Sequence, residues 1–182
     1  MIVREGHRQL AEVGFQHFSA REVAKTIGYS IGTLYNVFGS HDALMLAING
    51  HTLDLMHDAL SEALLRAKSD RIEVMIKAYF DFASDHRHVW TALYDFRLPD
   101  GTPLPDDFAA KLTQITGLVI DEVARALPAK RRAEAASLAP SLLAIVHGHC
   151  FFMLNGTFAL LGEAHPLQAS IARIKQALGK RT

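Results

Sequence analysis

Three helix-start signals crowd into the segment Ser19–Leu44, SAREVAKTIGYSIGTLYNVFGSHDAL, and they exclude a single long helix there. Ser19 can cap a helix beginning at Ala20, and Glu22, three residues on, completes a capping box. Val23, Ala24 and Ile27 supply the apolar stripe of that short helix. Gly28 stands where a left-handed residue ends it. Ser30 offers the next cap. In the helix that follows, Ile31, Leu34 and Phe38 fall on one face and should bury. Gly32, Thr33, Tyr35 and Asn36 are left on the outer face. Gly39-Ser40 breaks the chain again, and Ser40 caps a longer helix with Asp42 in its first turn. Two short helices, a tight turn and a third helix straight after make a helix-turn-helix. The second helix of such a unit is shaped for the DNA major groove.

The identities add to the pattern. Gly14-Phe15, Val23-Ala24, Gly28-x-Ser30, Gly32-Thr33-Leu34-Tyr35, Phe38-x-Ser40 and Ala43-Leu44 together resemble the N-terminal domain of the TetR family of bacterial transcriptional regulators. The resemblance covers roughly residues 2 to 48, with many positions agreeing in one register. It implies a DNA-binding domain over residues 1–46 and a helical effector-binding and dimerisation domain over residues 47–182. It further implies that Ser30, Thr33, Tyr35 and Asn36 meet phosphates and base edges. Hydroxyls and amides suit both targets, and an amide can read adenine bidentately.

Some positions depart from the family pattern. Val37 stands where the family often has His. His41 stands where it commonly has a Lys that serves the phosphate backbone. Residues 1–50 hold Arg4, Arg8, Arg21 and Lys25 against Glu5, Glu12, Glu22 and Asp42, so this half lacks the usual basic footprint. Helix N-termini, hydroxyls and a protonated His41 then have to serve the phosphates. Met1-Ile2 already lies within the expected first helix, which leaves room for a true start upstream. Gly6 sits inside that helix at a cost of about 1 kcal/mol relative to Ala.

Beyond the helix-turn-helix the whole chain reads as helical. Leu44, Ile48, Leu55, Leu60 and Leu64 recur at helical spacing between His41 and Lys68. A second helix runs from Arg71 to about Asp85, and a short apolar segment follows at Val89–Phe96. The stretch Leu98–Pro105 is a loop. Asp106 or Asp107 then caps a helix that Pro128 ends. Lys130–Gly162 is mostly helical with a kink at Pro140, and His165–Leu178 is the last helix. No segment alternates like a strand, so the expected class is all-α.

Hydrophobic residues make up 49% of the chain, too many for a disordered protein, and the formal net charge is zero. A single cysteine, Cys150, excludes an internal disulfide and suits a reducing cytoplasm. The N-terminus has no basic-then-apolar signal segment, so the expected location is cytoplasmic. Residues 135–162 contain no Asp, Glu, Lys or Arg. Length alone would allow a membrane span, but Pro140, His147, His149, Asn155 and the glycines Gly148 and Gly156 make a poor lipid-facing surface. The expectation is no membrane, with one face buried in its own subunit and one against a mate. In TetR-like proteins the last two long helices pair with their mates in a dimer bundle, and a two-fold dimer matches a palindromic operator.

The family usually senses a small molecule with its C-terminal half. His147-Gly148 in an apolar helix, after the aromatic segment Trp90–Phe96, resembles the WHG-type C-terminal domain of some members. Trp90, Tyr94, Phe108, His147 and Phe151 are the candidate ligand-binding residues. Ordinary core is the competing role for each. Trp90 and His147 stand out because their polar nitrogens need partners. The ten histidines do not suggest a metal: His86/His88 and His147/His149 are two apart and point opposite ways around a helix. Cys150, in an apolar run without a nearby cation, reads as an inert thiol. No nucleophile–base pair, carboxylate pair or phosphate loop points to an enzyme, and no cofactor is expected. The reading is a ligand-responsive dimeric DNA-binding regulator, a repressor released by a small apolar molecule. The alternative is a small-molecule-binding helical protein whose DNA binding is weak or lost.

Overall fold

A computed structural model describes residues 1–68 and 70–180. Among them there is no strand, and the fold is all-α. The helices are α1 (Ile2–Val13), α2 (Ala20–Thr26), α3 (Ile31–Phe38), α4 (His41–Arg66), α5 (Arg71–Asp85), α6 (Arg87–Asp95), α7 (Asp106–Ala126), α8 (Ala135–Leu154), α9 (Thr157–Leu161) and α10 (Pro166–Ala177). They build two compact units. The first takes residues 1–56 and 85–112; the second takes residues 57–84 and those from 113 on.

The first unit wraps α1, α2, α3 and α6 around the N-terminal half of α4. Leu10, Val23, Leu34, Leu44, Ile48 and Val89 are fully shielded in one cluster, and Ile31 and Phe38 pack against it half-buried. The caps form as the sequence predicts. Ser19, Ser30 and Ser40 accept through Oγ from the N–H groups of Glu22, Thr33 and Ala43. The capping box is half made: the Ser19 N–H donates to Gln9 Oε1 of α1 instead of to Glu22. Gly28 sits at φ +76°, and the Tyr29 N–H reaches back to the Ala24 carbonyl at 2.8 Å, which closes α2. Gly6 is explained by close approach, since a Cβ there would lie 2.5 Å from Ile48 Cδ1. On the other side of α1, His88 Nδ1 donates to the Ala11 carbonyl at 2.8 Å and ties α6 to α1.

The second unit packs α5, the later part of α7, α8 and α10 around Leu60, Ile76, Phe80, Val123, Leu142, Val146 and Ile174. Its charged tie is Arg71, whose guanidinium grips Glu122 with two bonds of 2.8 and 2.7 Å and also donates to the Leu64 carbonyl. Glu122 is 2% exposed. The stripe Ala135, Ala139, Leu142, Val146 and Cys150 is the buried face of α8. Pro140 lies within α8 on its exposed side, where a missing N–H bond is least costly. Burial pushes the Cys150 thiol up to about 12, which keeps it protonated.

Three segments differ locally from the sequence pattern. Most of Val89–Phe96 belongs to a regular helix, α6, and Phe96 is its extended C-terminal cap. The α7 helix starts at Asp106, so both aspartates lie in its first turn and favour its positive end rather than capping it. The run after Lys130 divides into α8 and α9 at Gly156, which takes the left-handed conformation.

Candidate functional site

The outward face of α3 carries Tyr35 and Asn36. Leu34 is fully buried and fixes the helix to the core, while Gly32, Tyr35, Asn36 and Val37 are exposed. Thr33 is half-buried: its N–H donates to Ser30 Oγ at 3.1 Å, and the two hydroxyls bond each other at 3.0 Å. His41 begins α4, exposed, with its ring edge-on to Phe18. Ser30 therefore caps α3, Thr33, Tyr35 and Asn36 lie along it, and His41 opens α4. The basic side chains nearby are partly committed, Arg8 to Glu5 and Glu12 and Lys25 to Glu22.

A second feature of the first unit is a cavity of about 280 Å³. Leu46, Asn49 and Leu53 of α4, Tyr94 of α6 and Phe108 and Leu112 of α7 form much of its wall, and Arg97 also lines it. Trp90 is fully buried and meets Tyr94 edge-to-face at 5.3 Å. Of the five sequence candidates for a ligand, Tyr94 and Phe108 thus line one cavity, with Trp90 packed against Tyr94. His147 and Phe151 belong to the second unit. There the Tyr79 hydroxyl and His147 Nδ1 are hydrogen-bonded at 3.0 Å, and the His147 and Phe151 rings stack. Burial lowers the His147 pKa, which favours the neutral ring. That unit holds a cavity of about 40 Å³, walled by Ile72, Ile76, Val119, Leu142 and similar side chains, and a hollow of about 460 Å³ lined by Met153, Phe158, Glu163 and Pro166 among others. Among the described residues no three His, Cys, Asp or Glu side chains are grouped to hold a metal.

Sequence reasoning passed over Asn49. It is 1% exposed, and its Nδ2 donates a long bond of 3.4 Å to the Ala92 carbonyl. A carbonyl only accepts, so the amide nitrogen must face Ala92 and Oδ1 faces elsewhere. That oxygen is buried without a partner, a state that costs about 1–3 kcal/mol. The signal was present in the chain: Asn49 interrupts an otherwise apolar stripe with Met45, Leu46 and Leu53.

A half-buried polar group in this unit also titrates. His7 of α1 stands 4.9 Å from the His51 ring, and its Nε2 is buried without a partner. Burial first, then the neighbouring His51 and His86, lowers its pKa from 6.5 to about 4. A histidine that is harder to protonate when folded binds more protons when unfolded. Its contribution is complete above about 6.5 and is lost as pH falls toward about 4. Thermal unfolding at pH 7 and pH 5.5 should show this loss, and His7→Leu should flatten the profile. Parallel profiles for wild type and variant would remove His7 as the cause.

Comparison with known proteins agrees with this geometry. Residues 2–48 match the family profile described as bacterial regulatory proteins, tetR family. Residues 72–178 match the profile described as tetracyclin repressor-like, C-terminal domain. HTH-type transcriptional regulator Rv1816 of Mycobacterium tuberculosis (strain ATCC 25618 / H37Rv) is 26% identical over 127 residues, a match covering 68% of this chain and 54% of the relative. The chain therefore spans about half the length of the curated relatives it matches. Among solved structures, a protein of unknown function from Rhodococcus sp. RHA1 superposes with a TM-score of 0.74 at 20% identity, covering 96% of this chain and 90% of that one. A protein assigned to the TetR family of transcription regulators from Shewanella sp. PV-4 gives 0.66 at 16% identity, covering 97% and 95%. These two likenesses speak for the fold. With the helix-turn-helix and the helical remainder each matched in register, the chain belongs to the TetR family of bacterial transcriptional regulators.

Proposed function

We propose that this chain is a dimeric, DNA-binding repressor that leaves its operator when a small apolar molecule binds. One observation carries the reading: α3 is clamped by Leu34 and turns Gly32, Tyr35 and Asn36 outward beside the Ser30–Thr33 hydroxyl pair. That face has the chemistry to follow a phosphate backbone and to read a base edge. Residues 1–46 are assigned to DNA, and residues 47–182 to effector binding and dimerisation. The effector residues proposed from the sequence are Trp90, Tyr94, Phe108, His147 and Phe151. The cytoplasm is the proposed location, and no cofactor or membrane is invoked.

Dimerisation is supported by the surface of α8. The segment Ala129–Leu154 is long and apolar enough by composition to cross a membrane, yet only 22% of its most apolar window is buried within the chain. Phe151, Phe152, Leu160 and Leu161 are exposed. A surface this apolar asks for a cover, and a second copy on a two-fold axis supplies one. Phe158 is less suited to that role, since it packs against His149 and Phe152.

Footprinting on a palindrome near the protein's own gene tests the reading. Two symmetrically protected half-sites are expected; no protected palindrome, or one half-site only, would overturn it. Asn36→Ala should relax preference at one base position, whereas equal loss on every operator variant would show that Asn36 does not read sequence. His41→Lys should tighten binding to all sequences and steepen the log–log salt slope by about 0.9, the value for one added phosphate contact.

A further inference from the structure

The first-unit cavity holds more information than its volume. At about 280 Å³ it lies just under the range of roughly 300–1,000 Å³ common for small-molecule sites, so its occupant is compact. Most of its wall is apolar: Leu46, Leu53, Leu93, Phe108 and Leu112 among others. Asn49 is the polar exception on α4, and its buried Oδ1 has no hydrogen-bond partner. The terminal torsion of an Asn side chain is soft, so this acceptor can turn to meet a donor placed beside it. An anion brings no donor to that oxygen, and apolar walls do not replace its hydration. Arg97, at the exposed edge, spends one of its five N–H donors on the Phe96 carbonyl.

We propose that this cavity is the effector site. Its ligand is a small, uncharged molecule with an apolar body and one hydrogen-bond donor, and the donor is delivered to Asn49 Oδ1. The proposal rests on the reading of the chain as an effector-responsive regulator and names its site and ligand class. It also gives a route for the response. The Asn49 amide bonds the Ala92 carbonyl, and Ala92 belongs to the same buried cluster as Leu34 of α3 and Met45 and Ile48 of α4. A ligand that redirects the Asn49 amide loosens or resets that bond, one residue away from the core that seats α3. In the second unit the cavity of about 40 Å³ has space for little more than a few water molecules, and a hollow of about 460 Å³ beside α9 has no buried unpartnered side-chain atom in its described lining.

Indole and indene test the donor requirement, because the two have nearly the same shape and only indole carries an N–H. Calorimetric titration of the full chain should give indole about tenfold tighter binding, the value of one buried hydrogen bond. Asn49→Leu, which keeps the branched heavy-atom shape and removes the acceptor, should abolish that preference while still binding indene. In the wild-type protein the Asn49 side-chain amide resonance should shift on adding indole, a readout that needs no variant. Equal affinities in wild type, a preference that survives Asn49→Leu, or no binding of either probe would overturn the site. Operator release is measured separately. Asn49-dependent indole binding that leaves operator affinity unchanged keeps the site and overturns the effector response. Indole-driven release that is identical in Asn49→Leu keeps the response and overturns the site.

Discussion

Arg71→Ala should clearly lower the urea midpoint of the second unit, because it leaves the buried Glu122 carboxylate without its two-bonded partner. The choice of partner matters. Glu122 is almost wholly buried, whereas the Arg71 side chain is about a third exposed. Removing Arg71 strands a carboxylate away from water, with Arg125 at 3.7 Å as its remaining cation. Removing Glu122 leaves a guanidinium that can turn to solvent and keep its bond to the Leu64 carbonyl. Arg71→Ala should therefore cost more than Glu122→Gln in urea titrations followed by circular dichroism. The double variant Arg71→Met/Glu122→Leu should recover most of the loss, because a hydrophobic pair carries no desolvation cost. If Arg71→Ala and Glu122→Gln prove equally mild, the pair is a solvated contact and not a structural tie.

Leu34→Ala should cost the first unit about 2–5 kcal/mol, the range for truncating a fully buried leucine. Leu34 is 0% exposed, and α3 is 8 residues long. A helix this short has no stability of its own and is held by packing. Its ordered state, and with it the outward face, depends on this one anchor more than on its neighbours Ile31 and Phe38, which are half-buried. Amide exchange across residues 31–38 should speed up strongly in Leu34→Ala while α10 keeps its protection. Val37→Ala is the control: Val37 is 63% exposed, so a change within about 0.5 kcal/mol is expected. Comparable exchange in the two variants would mean that α3 is held by its caps.

What the sequence disclosed and what it hid divide along the range of the interactions. The three serine caps and the left-handed Gly28 are local chemistry, so Ser19, Ser30, Ser40 and Gly28 were legible from neighbours a few residues away. The missing half of the capping box was not, because its competitor, Gln9, comes from another helix. Gly6 looked like a local cost until Ile48, far along the chain, supplied the reason. Arg71 and Glu122 are 51 residues apart, and no periodicity announces such a pair. Aromatic composition nominated Tyr94 and Phe108 together with His147 and Phe151, but it carries no information on which unit each joins. Asn49 was passed over because a lone polar residue in an apolar stripe becomes informative only once its oxygen is found without a partner.

The hydroxyl pair at the start of α3 has a consequence for proton counting. Ser30 and Thr33 together own two hydroxyl protons. Their mutual bond consumes one of them, whichever atom donates, and Ser30 Oγ is also occupied by the Thr33 N–H. One proton remains for any acceptor that approaches this turn. The two side chains thus behave as a single donor, already held in orientation by three atoms of the same turn. Deleting either hydroxyl releases the other from its register, so the losses from Ser30→Ala and Thr33→Val overlap instead of adding.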